Sequence, residues 1–226
     1  MPSSDNLPSI SYHQFSAPHL NGVVDLLCGS FCQDEPINKA RDITRDEIKD
    51  AMIDVAKASL SDGISYVAID DSTGTVIGCR LTTAHLRSRE SKHSSAQSDF
   101  ASYPVRMQEQ LCFLVYLESD KWNLLSADTE RVFKFEVVSV DGKYRRRGIA
   151  QKLVEMSIDR AITDGFDVIT TTATSFKTQK MFAEKFGFET LRTVALKEFK
   201  TNRSENIFSK VPPENKIAKF MLKKLK

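Results

Sequence analysis

Long apolar segments are missing from this chain of 226 residues. No apolar run approaches the roughly 20 residues that a helix needs to cross a bilayer, so we expect no membrane span and no membrane partner. The opening residues MPSSDNLPSI also lack the basic start and the apolar stretch of a secretory signal peptide. These absences favour a cytoplasmic protein.

An excess of one charge is missing as well. The 32 lysines and arginines are balanced by 30 aspartates and glutamates, for a formal net charge of +2. Nucleic-acid-binding proteins usually carry a clear basic excess, so we expect no nucleic-acid partner. The content of 41% hydrophobic and 27% charged residues suits a globular core. Because roughly 100–200 residues per domain is usual, we predict one domain over residues 1–226.

Complete metal-binding motifs are also missing. The four cysteines are Cys28, Cys32, Cys79 and Cys112, and no Cys-x-x-Cys or nearby histidine pair accompanies them. Cys28 and Cys32 are four positions apart and could face one metal on a helix, but nothing completes such a site. We therefore predict free thiols in a reducing compartment, acting as small core residues, and no metal.

The first half of the chain predicts two helices followed by a pair of hairpin-like strands. The predicted elements are a strand over Ile10–Phe15, a helix over Leu20–Phe31, a helix from Thr44 to about Leu60, and strands over Ile64–Ile69 and Thr75–Thr83. Thr44-Arg-Asp-Glu47 has the Thr-x-x-Glu form of a capping box, which marks the start of the second helix. The segment from Arg87 to Tyr103 is rich in serine and charge and predicts a loop.

The second half of the chain alternates strands with helices. The predicted elements are a helix over Val105–Leu125, a strand over Glu130–Val140, a helix over Ala150–Ile162, a strand over Val168–Thr172, a helix over Thr174–Phe186, and strands over Thr190–Phe199 and Lys216–Leu222. Strand–helix–strand order favours parallel pairing in the middle of a sheet, whereas the earlier strands favour antiparallel pairing. The predicted fold is α/β, a mixed central sheet flanked by helices.

The segment over residues 137–150 carries the clearest chemical signal. A strand feeds a turn that opens directly into a helix, whose unpaired N–H groups and partial positive charge make an anion site. Gly148 allows the backbone to approach a phosphate closely. Three consecutive arginines, Arg145, Arg146 and Arg147, add cationic charge at the same place. The segment predicts a pyrophosphate or similar anion, although an isolated Arg-Arg-Arg-Gly would suit a solvated basic turn equally well.

The spacing Arg145-x-x-Gly148-x-Ala150 after a strand resembles the pyrophosphate loop of the GCN5-related N-acetyltransferases, whose pattern is Arg/Gln-x-x-Gly-x-Gly/Ala. It is not a Walker loop, since no Gly-Lys-Ser/Thr is present, and its glycines are too far apart for a dinucleotide fingerprint. The later run MFAEKFGF resembles the helix of the same family that closes with Gly-Phe. Together the two motifs cover roughly residues 130–190.

This resemblance implies a mixed sheet in which two central parallel strands splay apart and hold acetyl-CoA as co-substrate. Backbone groups of Val138 and Val140 would bind the pantetheine amides. Backbone N–H groups from Arg146 to Ala150, including that of Ile149, would bind the pyrophosphate. Ser175 stands where many members have a cofactor-binding Asn. An amine would attack the thioester directly, which requires a base, an oxyanion donor and an acid for the thiolate.

Two carboxylates are candidates for the base. Asp34-Glu-Pro-Ile-Asn38 resembles the Asp-Glu-Pro-Leu segment of invertebrate arylalkylamine N-acetyltransferases, whose Glu is assigned as general base. Glu35 is therefore the first candidate, acting through water, and a solvated Glu before a helix-breaking Pro is the alternative. Glu136 is the second candidate.

Glu136 is predicted to share a face of its strand with Val138 and Val140. Burial there would raise its pKa, unless it pairs with a Lys or Arg. Vertebrate arylalkylamine enzymes carry histidines on this strand, whereas Lys134 and Glu136 stand here. A mechanism through a pair of histidines is therefore excluded.

The expected acid for the CoA thiolate is missing. Many members of the family have a Tyr where this chain has Phe182, which has no proton to donate. Thr174 and Thr178 fall near hydroxyls that the invertebrate arylalkylamine enzymes use around the thioester, so they are candidates to replace it. The alternative is that Thr174 and Ser175 only cap a helix.

The substrate is implied by the resemblance alone. Phe31, Phe100 and Tyr103 are either an aromatic wall of an acceptor pocket or ordinary core residues. The resemblance implies transfer of acetyl to a small primary amine, a biogenic arylalkylamine such as dopamine, tyramine, octopamine or serotonin. The alternatives are acetylation of a protein, a histone or another small amine, and a non-catalytic acetyl-CoA-binding module.

Overall fold

One mixed sheet organises the residues that the computed structural model describes, which are 8–90, 100–201 and 206–226. Its seven strands are β1 (Ile10–Gln14), β2 (Tyr66–Asp70), β3 (Thr75–Leu86), β4 (Arg131–Val140), β5 (Val168–Ala173), β6 (Glu189–Ala195) and β7 (Ile217–Lys224). Their spatial order is β1-β2-β3-β4-β5-β7-β6, and among these strands only β4 and β5 pair in parallel. The predicted mixed sheet, with parallel pairing in the middle and antiparallel strands before it, is confirmed.

Helices pack on both faces of this sheet. They are α1 (Leu20–Leu26), α2 (Cys32–Asp34), α3 (Pro36–Ala40), α4 (Arg45–Asp62), α5 (Arg87–Glu90), α6 (Val105–Leu117), α7 (Lys121–Leu124), α8 (Ile149–Thr163) and α9 (Phe176–Lys180). Helices α1 and α4 share a buried cluster with Val137 of β4. Helix α8 packs instead against Phe133 and Phe135 of the same strand. The central strand β4 is therefore covered on both sides.

Two of the predicted helices change geometry along their length, and a third is shorter than expected. The first ends at Leu26 and passes through a wide helical turn, Leu27–Phe31, before α2 begins. The helix predicted from Val105 ends at Leu117, because Asp120 adopts a left-handed φ of 56° that breaks the helical path. The last one, α9, passes into a second wide turn, Met181–Lys185.

The start and the end of α4 follow the sequence signals. The Thr44 hydroxyl accepts a hydrogen bond from the Glu47 N–H at 3.3 Å, and a Glu47 carboxylate oxygen accepts one from the Thr44 N–H at 2.9 Å. This reciprocal pair is the predicted capping box. The helix ends at Gly63, whose left-handed φ of 65° a glycine adopts without steric cost.

The end of the chain inserts into the sheet. Strand β7 lies between β5 and β6 and pairs antiparallel with both, with Thr170 opposite Leu222. The sequence order alone did not predict this insertion. Strand β6 ends at Ala195, earlier than predicted, because a 3-10 turn over Leu196–Glu198 follows. The loop predicted from Arg87 begins instead with helix α5, and residues 91–99 of it lie outside the described residues.

The two central parallel strands separate partway along their length. Their pairing runs from Val132 opposite Val168 to Phe135 opposite Thr171. Strand β4 nevertheless continues to Val140, and β5 continues to Ala173. Beyond Phe135, the edge of β4 that faced β5 has no strand partner among the described residues. Backbone groups on that edge can therefore pair with a ligand.

The four cysteines form no disulfide with one another. Cys28, Cys32 and Cys79 are buried, and all four thiols are free. Within residues 8–90, 100–201 and 206–226, no cluster of three metal-binding side chains occurs. No helix in the same described segments is long and apolar enough to cross a membrane.

Candidate active site

A cavity of about 640 Å³ opens where β4 and β5 separate. The predicted catalytic residues in its wall are Glu35, Glu136, Thr174 and Thr178. The predicted acetyl-CoA contacts in its wall are Val138, Val140, Arg145, Ala150 and Ser175. The fold therefore gathers into one cavity residues that are far apart in the sequence.

Glu35 occupies the junction between α2 and α3 and is the N-cap of α3. Its carboxylate oxygen Oε2 accepts hydrogen bonds from the backbone N–H groups of Ile37, at 2.7 Å, and Asn38, at 3.0 Å. Its other oxygen, Oε1, accepts a short hydrogen bond from the hydroxyl of Thr174, which is 139 positions away in the sequence. Pro36 suits the first position of the helix because its ring fixes φ near the helical value. The Glu-Pro pair thus holds the carboxylate in a fixed position.

The environment of Glu35 favours the protonated form of its carboxyl group more than water does. Burial in the cavity wall raises the pKa of Glu35, and the hydrogen bonds from Thr174, Asn38 and Ile37 only partly oppose that rise. A carboxylate with a raised pKa binds a proton more readily than an exposed one, which favours general-base catalysis. The alternative, a solvated Glu before a proline, does not fit this half-buried and hydrogen-bonded side chain.

Glu136 differs from the prediction in its ionisation. Burial opposes its charge, but Lys134, the Thr83 hydroxyl and His85 together hold the pKa of Glu136 below its ordinary value. The Lys134 Nζ lies 3.3 Å from one carboxylate oxygen, and the Thr83 hydroxyl donates to the other at 2.6 Å. The expected rise in pKa was wrong because the strand also places a lysine beside the carboxylate. The alternative interpretation, a carboxylate paired with Lys, describes this residue.

The expected orientation of Glu136 is also wrong. The register between β3 and β4 shifts at Leu81 and Thr82, which lie opposite Val137 and Phe135, so Glu136 has no partner in the ladder. Phe135 and Val137, only two residues apart, pack into different clusters. The alternation along β4 is therefore interrupted at Glu136, and the prediction that it shares a face with Val138 and Val140 loses its basis.

The buried charges around Glu136 form a compensated group, which leads to a prediction about stability. Lys134 lies 3.0 Å from Glu118 as well as 3.3 Å from Glu136. The change Lys134→Met would leave two carboxylates without their cation, so we expect a loss of about 3 kcal/mol in the free energy of unfolding. Denaturant titration measures it. The double change Lys134→Met with Glu136→Gln is the control and should recover part of the loss. An unchanged free energy of unfolding in Lys134→Met would contradict this assignment.

The hydroxyls of Thr174 and Ser175 have different surroundings, and Thr178 lies in the cavity wall. Thr174 precedes the helix and donates to Glu35, as described above. Ser175 is the N-cap residue, but its side chain makes no capping hydrogen bond. The N–H of Phe176 donates instead to the side chain of Asn215, at 2.8 Å. The alternative that Thr174 and Ser175 only cap the helix is therefore not what the structure shows.

Removing the threonine hydroxyls tests their role. The hydrogen bond from Thr174 lowers the pKa of Glu35. In Thr174→Val we therefore expect the acidic limb of the pH profile of kcat/KM to move to higher pH. We expect kcat to fall about threefold to tenfold, the worth of one hydrogen bond. Thr178→Val should have a modest effect, and the double change should cost more than either. Unchanged kcat and pH profiles in all three variants would show that these hydroxyls play no part.

Phe182 occupies the position of the missing acid. It is fully buried and packs against the rings of Phe135, at 5.9 Å between centroids, and Phe188, at 4.8 Å. It also lines the cavity. The surroundings of this position are therefore aromatic, and its side chain offers no proton donor.

The loop at the start of α8 has the backbone geometry of an anion site. Gly148 is the N-cap of α8 and has a φ of 75°, and no atom lies within 4 Å of the point where a Cβ would be. Arg146 also has a positive φ, of 62°. Ala150 lines the cavity, whereas the side chain of Ile149 is buried in the core beside α8. Ile149 could therefore contact a ligand through its backbone N–H but not through its side chain.

The three arginines of this loop do not act alike. Arg145 lines the cavity and forms an ion pair with Asp34, the residue before Glu35. Arg147 donates a hydrogen bond to the carbonyl oxygen of Pro8 at 2.6 Å, which holds the first described residues against this loop. Arg145 and Arg147 are therefore engaged within the protein, in addition to any charge that they offer to a phosphate.

The acceptor side of the cavity is mainly apolar. Phe31 and Phe100 line it, as expected for an aromatic wall. Tyr103 does not line it, and its hydroxyl donates to Asp54 at 2.5 Å. Further apolar lining comes from Met52, Val55, Met107, Leu111 and Leu114. Two of the three proposed aromatic residues thus face the cavity.

Some polar residues in the cavity wall were not predicted from the sequence, among them Asn38, Arg80 and Gln110. Gln110 donates to the side chain of Asn38 at 2.5 Å, which joins α6 to the helix that carries Glu35. Arg80 is 1% exposed in the middle of β3. Burial lowers the pKa of its guanidinium, and the nearby carboxylate of Glu136 opposes that shift. A guanidinium nevertheless stays protonated in proteins. The sequence did contain one signal for Arg80, which is a charged residue inside the apolar run of β3.

Comparison with known proteins places these features in a family. A sequence model of the acetyltransferase (GNAT) domain matches residues 81–199, more than half of the chain. Arylalkylamine N-acetyltransferase 2 of Aedes aegypti is 25% identical, with a TM-score of 0.82, and the alignment covers 96% of this chain and 99% of that one. Polyamine N-acetyltransferase of Drosophila melanogaster, which forms N-acetylagmatine, has the same fold at 15% identity and a TM-score of 0.79, over 96% and 100% of the two chains.

The matched residues contain the separated strands and the loop at the start of α8, but not Glu35. The wider structural match extends over 96% of the chain. The chain therefore belongs to the GCN5-related N-acetyltransferase family and is an acetyl-CoA-dependent acyltransferase.

Proposed function

We propose that this protein transfers the acetyl group of acetyl-CoA to the primary amine of a small arylalkylamine, by direct attack of the amine on the thioester. The observation that carries the proposal is the contact between the Thr174 hydroxyl and the Glu35 carboxylate, in the wall of the cavity between β4 and β5. A buried base with a raised pKa thus faces the space where the proposed reaction takes place. We also propose that residues 1–226 form one catalytic domain.

The free edge of β4 and the start of α8 would hold acetyl-CoA. Backbone groups of Val138 and Val140 would pair with the pantetheine amides, because β5 no longer occupies that edge. The N–H groups from Arg146 to Ala150 would hold the pyrophosphate, where the helix dipole adds to the attraction. The same edge of β4 would offer an N–H group to the carbonyl oxygen as negative charge develops on it.

The proposed base acts on the amine. An amine is protonated near neutral pH and attacks only after it has lost a proton, since its lone pair must be free. The Glu35 carboxylate takes that proton, directly or through one water molecule. The N–H groups of Ile37 and Asn38 hold the carboxylate while the hydroxyl of Thr174 fixes its second oxygen.

The apolar lining supports an aromatic substrate. Phe31, Met52, Val55, Phe100 and Leu111 surround the acceptor side with carbon atoms. Such a surface gains free energy from an aromatic ring that leaves water. The proposal therefore assigns the ring of an arylalkylamine to this part of the cavity.

The charge pattern argues against a polyamine or agmatine. A second cationic group on the substrate needs a carboxylate that is not already neutralised. Lys134 neutralises Glu118 and Glu136, and Arg145 pairs with Asp34. Glu35 is then the remaining cavity-lining carboxylate in the described part of the chain, and the amine that reacts needs it.

A panel of acceptors tests the proposal. Purified protein is mixed with acetyl-CoA and, separately, with tyramine, dopamine, serotonin, agmatine, spermidine and a lysine-containing peptide. We expect kcat/KM for the arylalkylamines to exceed that for agmatine by at least about tenfold, an energy difference of ~1.4 kcal/mol. A preference for agmatine or for the peptide would contradict the substrate class. Binding of acetyl-CoA without turnover of any amine would favour a non-catalytic module.

A further inference from the structure

Arg80 is a buried cation that forms no ion pair with any carboxylate in the described part of the chain. Its side chain is 1% exposed, and its guanidinium lies over the ring of Phe135, 3.5 Å from the centroid. Its Nε and Nη2 atoms have no hydrogen-bond partner among the described residues. Glu136 is the carboxylate whose charge acts on Arg80. It is already bound by Lys134 and Thr83. An unpaired buried charge is costly, so a group from outside the chain is the natural partner.

The position of Arg80 is next to the proposed path of the thioester. Arg80 is paired with Val138 across the ladder between β3 and β4, and its side chain lines the same cavity as Val138 and Phe182. The Phe135 ring contacts Arg80 on one side and packs against Phe182, at 5.9 Å between centroids. Arg80 and Phe182, which stands where an acid was expected, therefore both contact the ring of Phe135.

We infer that Arg80 is a catalytic residue whose guanidinium stabilises the departing CoA thiolate in place of a proton donor at position 182. The amine nitrogen forms a bond to the carbonyl carbon, the carbon–sulfur bond breaks, and the electron pair stays on sulfur. Glu35 passes the first proton of the ammonium group to solvent and then takes the second nitrogen-bound proton as the amide forms, and the thiolate takes a proton from solvent after it is released. Alkyl thiols of the cysteine type titrate near about pH 8.5, so charge stabilisation is a workable substitute for protonation.

The inference rests on the proposed position of the thioester between β4 and β5, but its first test needs no amine. The affinity for CoA and for desulfo-CoA, which lacks the sulfur, is measured by calorimetry between about pH 6 and about pH 9, a range that brackets the thiol pKa. We expect wild-type protein to bind CoA roughly tenfold more tightly at the high-pH end, because a charge-assisted hydrogen bond forms only with the thiolate. Desulfo-CoA should show no such gain.

Two substitutions of Arg80 separate charge from packing. Arg80→Met removes the charge and should abolish the gain with pH for CoA while leaving desulfo-CoA binding nearly unchanged. Arg80→Lys keeps a cation and should retain part of the gain. The matched control is Arg146→Met in the phosphate loop, which should weaken both ligands equally at every pH. Equal losses for CoA and desulfo-CoA in Arg80→Met, with the pH dependence intact, would overturn the inference.

A rescue experiment tests the catalytic step itself. Arg80→Met should lower kcat by roughly 10²–10³-fold, the cost of losing one preorganised donor. Adding Phe182→Tyr to that variant supplies a proton donor and should restore kcat at least about tenfold relative to Arg80→Met. Failure of the tyrosine to rescue kcat would overturn the inference. If CoA binding responds as expected but no arylalkylamine is acetylated, the proposed substrate class fails and the role of Arg80 stands.

Discussion

Replacing Glu35 by Gln is expected to lower kcat by roughly 10²–10⁴-fold, the usual worth of acid–base catalysis, with little change in the affinity for acetyl-CoA. An amide accepts hydrogen bonds from Ile37 and Asn38 as the carboxylate does, so the N-cap of α3 should persist. The amide cannot take a proton from an ammonium group. Steady-state kinetics with tyramine, together with calorimetry of acetyl-CoA binding, separates the chemical effect from binding.

The dependence of kcat/KM on pH provides a second test of Glu35 as the base. Glu35 must be deprotonated to act as a base, so kcat/KM of the wild type should rise with pH through the pKa of Glu35. That pKa lies above the ordinary value because the carboxylate is buried. In Glu35→Gln this acidic limb should disappear, and the loss of rate should shrink at high pH, where free amine is abundant. The matched control is Glu136→Gln. If it, and not Glu35→Gln, removes the limb, Glu136 on β4 is the base.

Replacing Gly148 by Trp is expected to abolish measurable binding of acetyl-CoA, a loss of roughly 10²-fold or more, because the indole would fill the space before α8 that a pyrophosphate needs. The space is open in this structure, since no described residue beyond the immediate chain neighbours of Gly148 comes within 4 Å of a Cβ built there. Calorimetry with acetyl-CoA measures the loss.

Gly148→Ala is the control for the backbone. Both substitutions strain the same φ of 75°, but a methyl group occupies far less of the space. The alanine variant should therefore keep much of the affinity. Equal losses in the two variants would mean that backbone strain, and not occupied space, weakens binding. Unchanged affinity in Gly148→Trp would remove this loop from the account.

The local signals along the chain predicted local structure well. The capping box at Thr44, the glycine end at Gly63 and the alternating strand that became β4 all depend on residues close in sequence. Those features are decided by hydrogen bonds and side-chain packing over a few positions. The same holds for the turn from β4 into α8, where Gly148 adopts the positive φ that the phosphate-loop interpretation requires.

Features that depend on contacts between distant segments were harder to predict. The insertion of β7 between β5 and β6 is decided by burial of Phe220 and Met221 in the finished sheet. The shift of register at Glu136 depends on the partner strand β3, so strict alternation along β4 gave the wrong face. The contact between Glu35 and Thr174 spans 139 positions, and no pattern within either segment indicates it.

The expected ionisation of Glu136 was wrong for a related reason. Burial alone raises the pKa of a carboxylate, and the sequence showed only an apolar strand. The structure adds Lys134 at 3.3 Å and the Thr83 hydroxyl at 2.6 Å, which reverse the direction. A lysine two residues away was visible in the sequence. The sequence did not show that the Lys134 ammonium group would also contact Glu118, at 3.0 Å, and so be held close to both carboxylates.

Direct transfer is the central claim, and the thiols of the chain are consistent with it. An acetyl-cysteine intermediate would need a reactive thiolate in the cavity. All four cysteines lie in the described part of the chain, and none of them lines the cavity. Burial raises the pKa of Cys79 to about 12 and also raises the pKa values of Cys28 and Cys32.

Rapid mixing of the enzyme with acetyl-CoA, followed by addition of tyramine, tests this claim most directly. The release of CoA is followed with a thiol reagent, and the acetylated product is identified by mass spectrometry. We expect no CoA release in the absence of amine, and equal amounts of CoA and N-acetyltyramine once the amine is present. A stoichiometric burst of CoA before tyramine is added, or CoA release without N-acetyltyramine, would contradict direct transfer to an arylalkylamine.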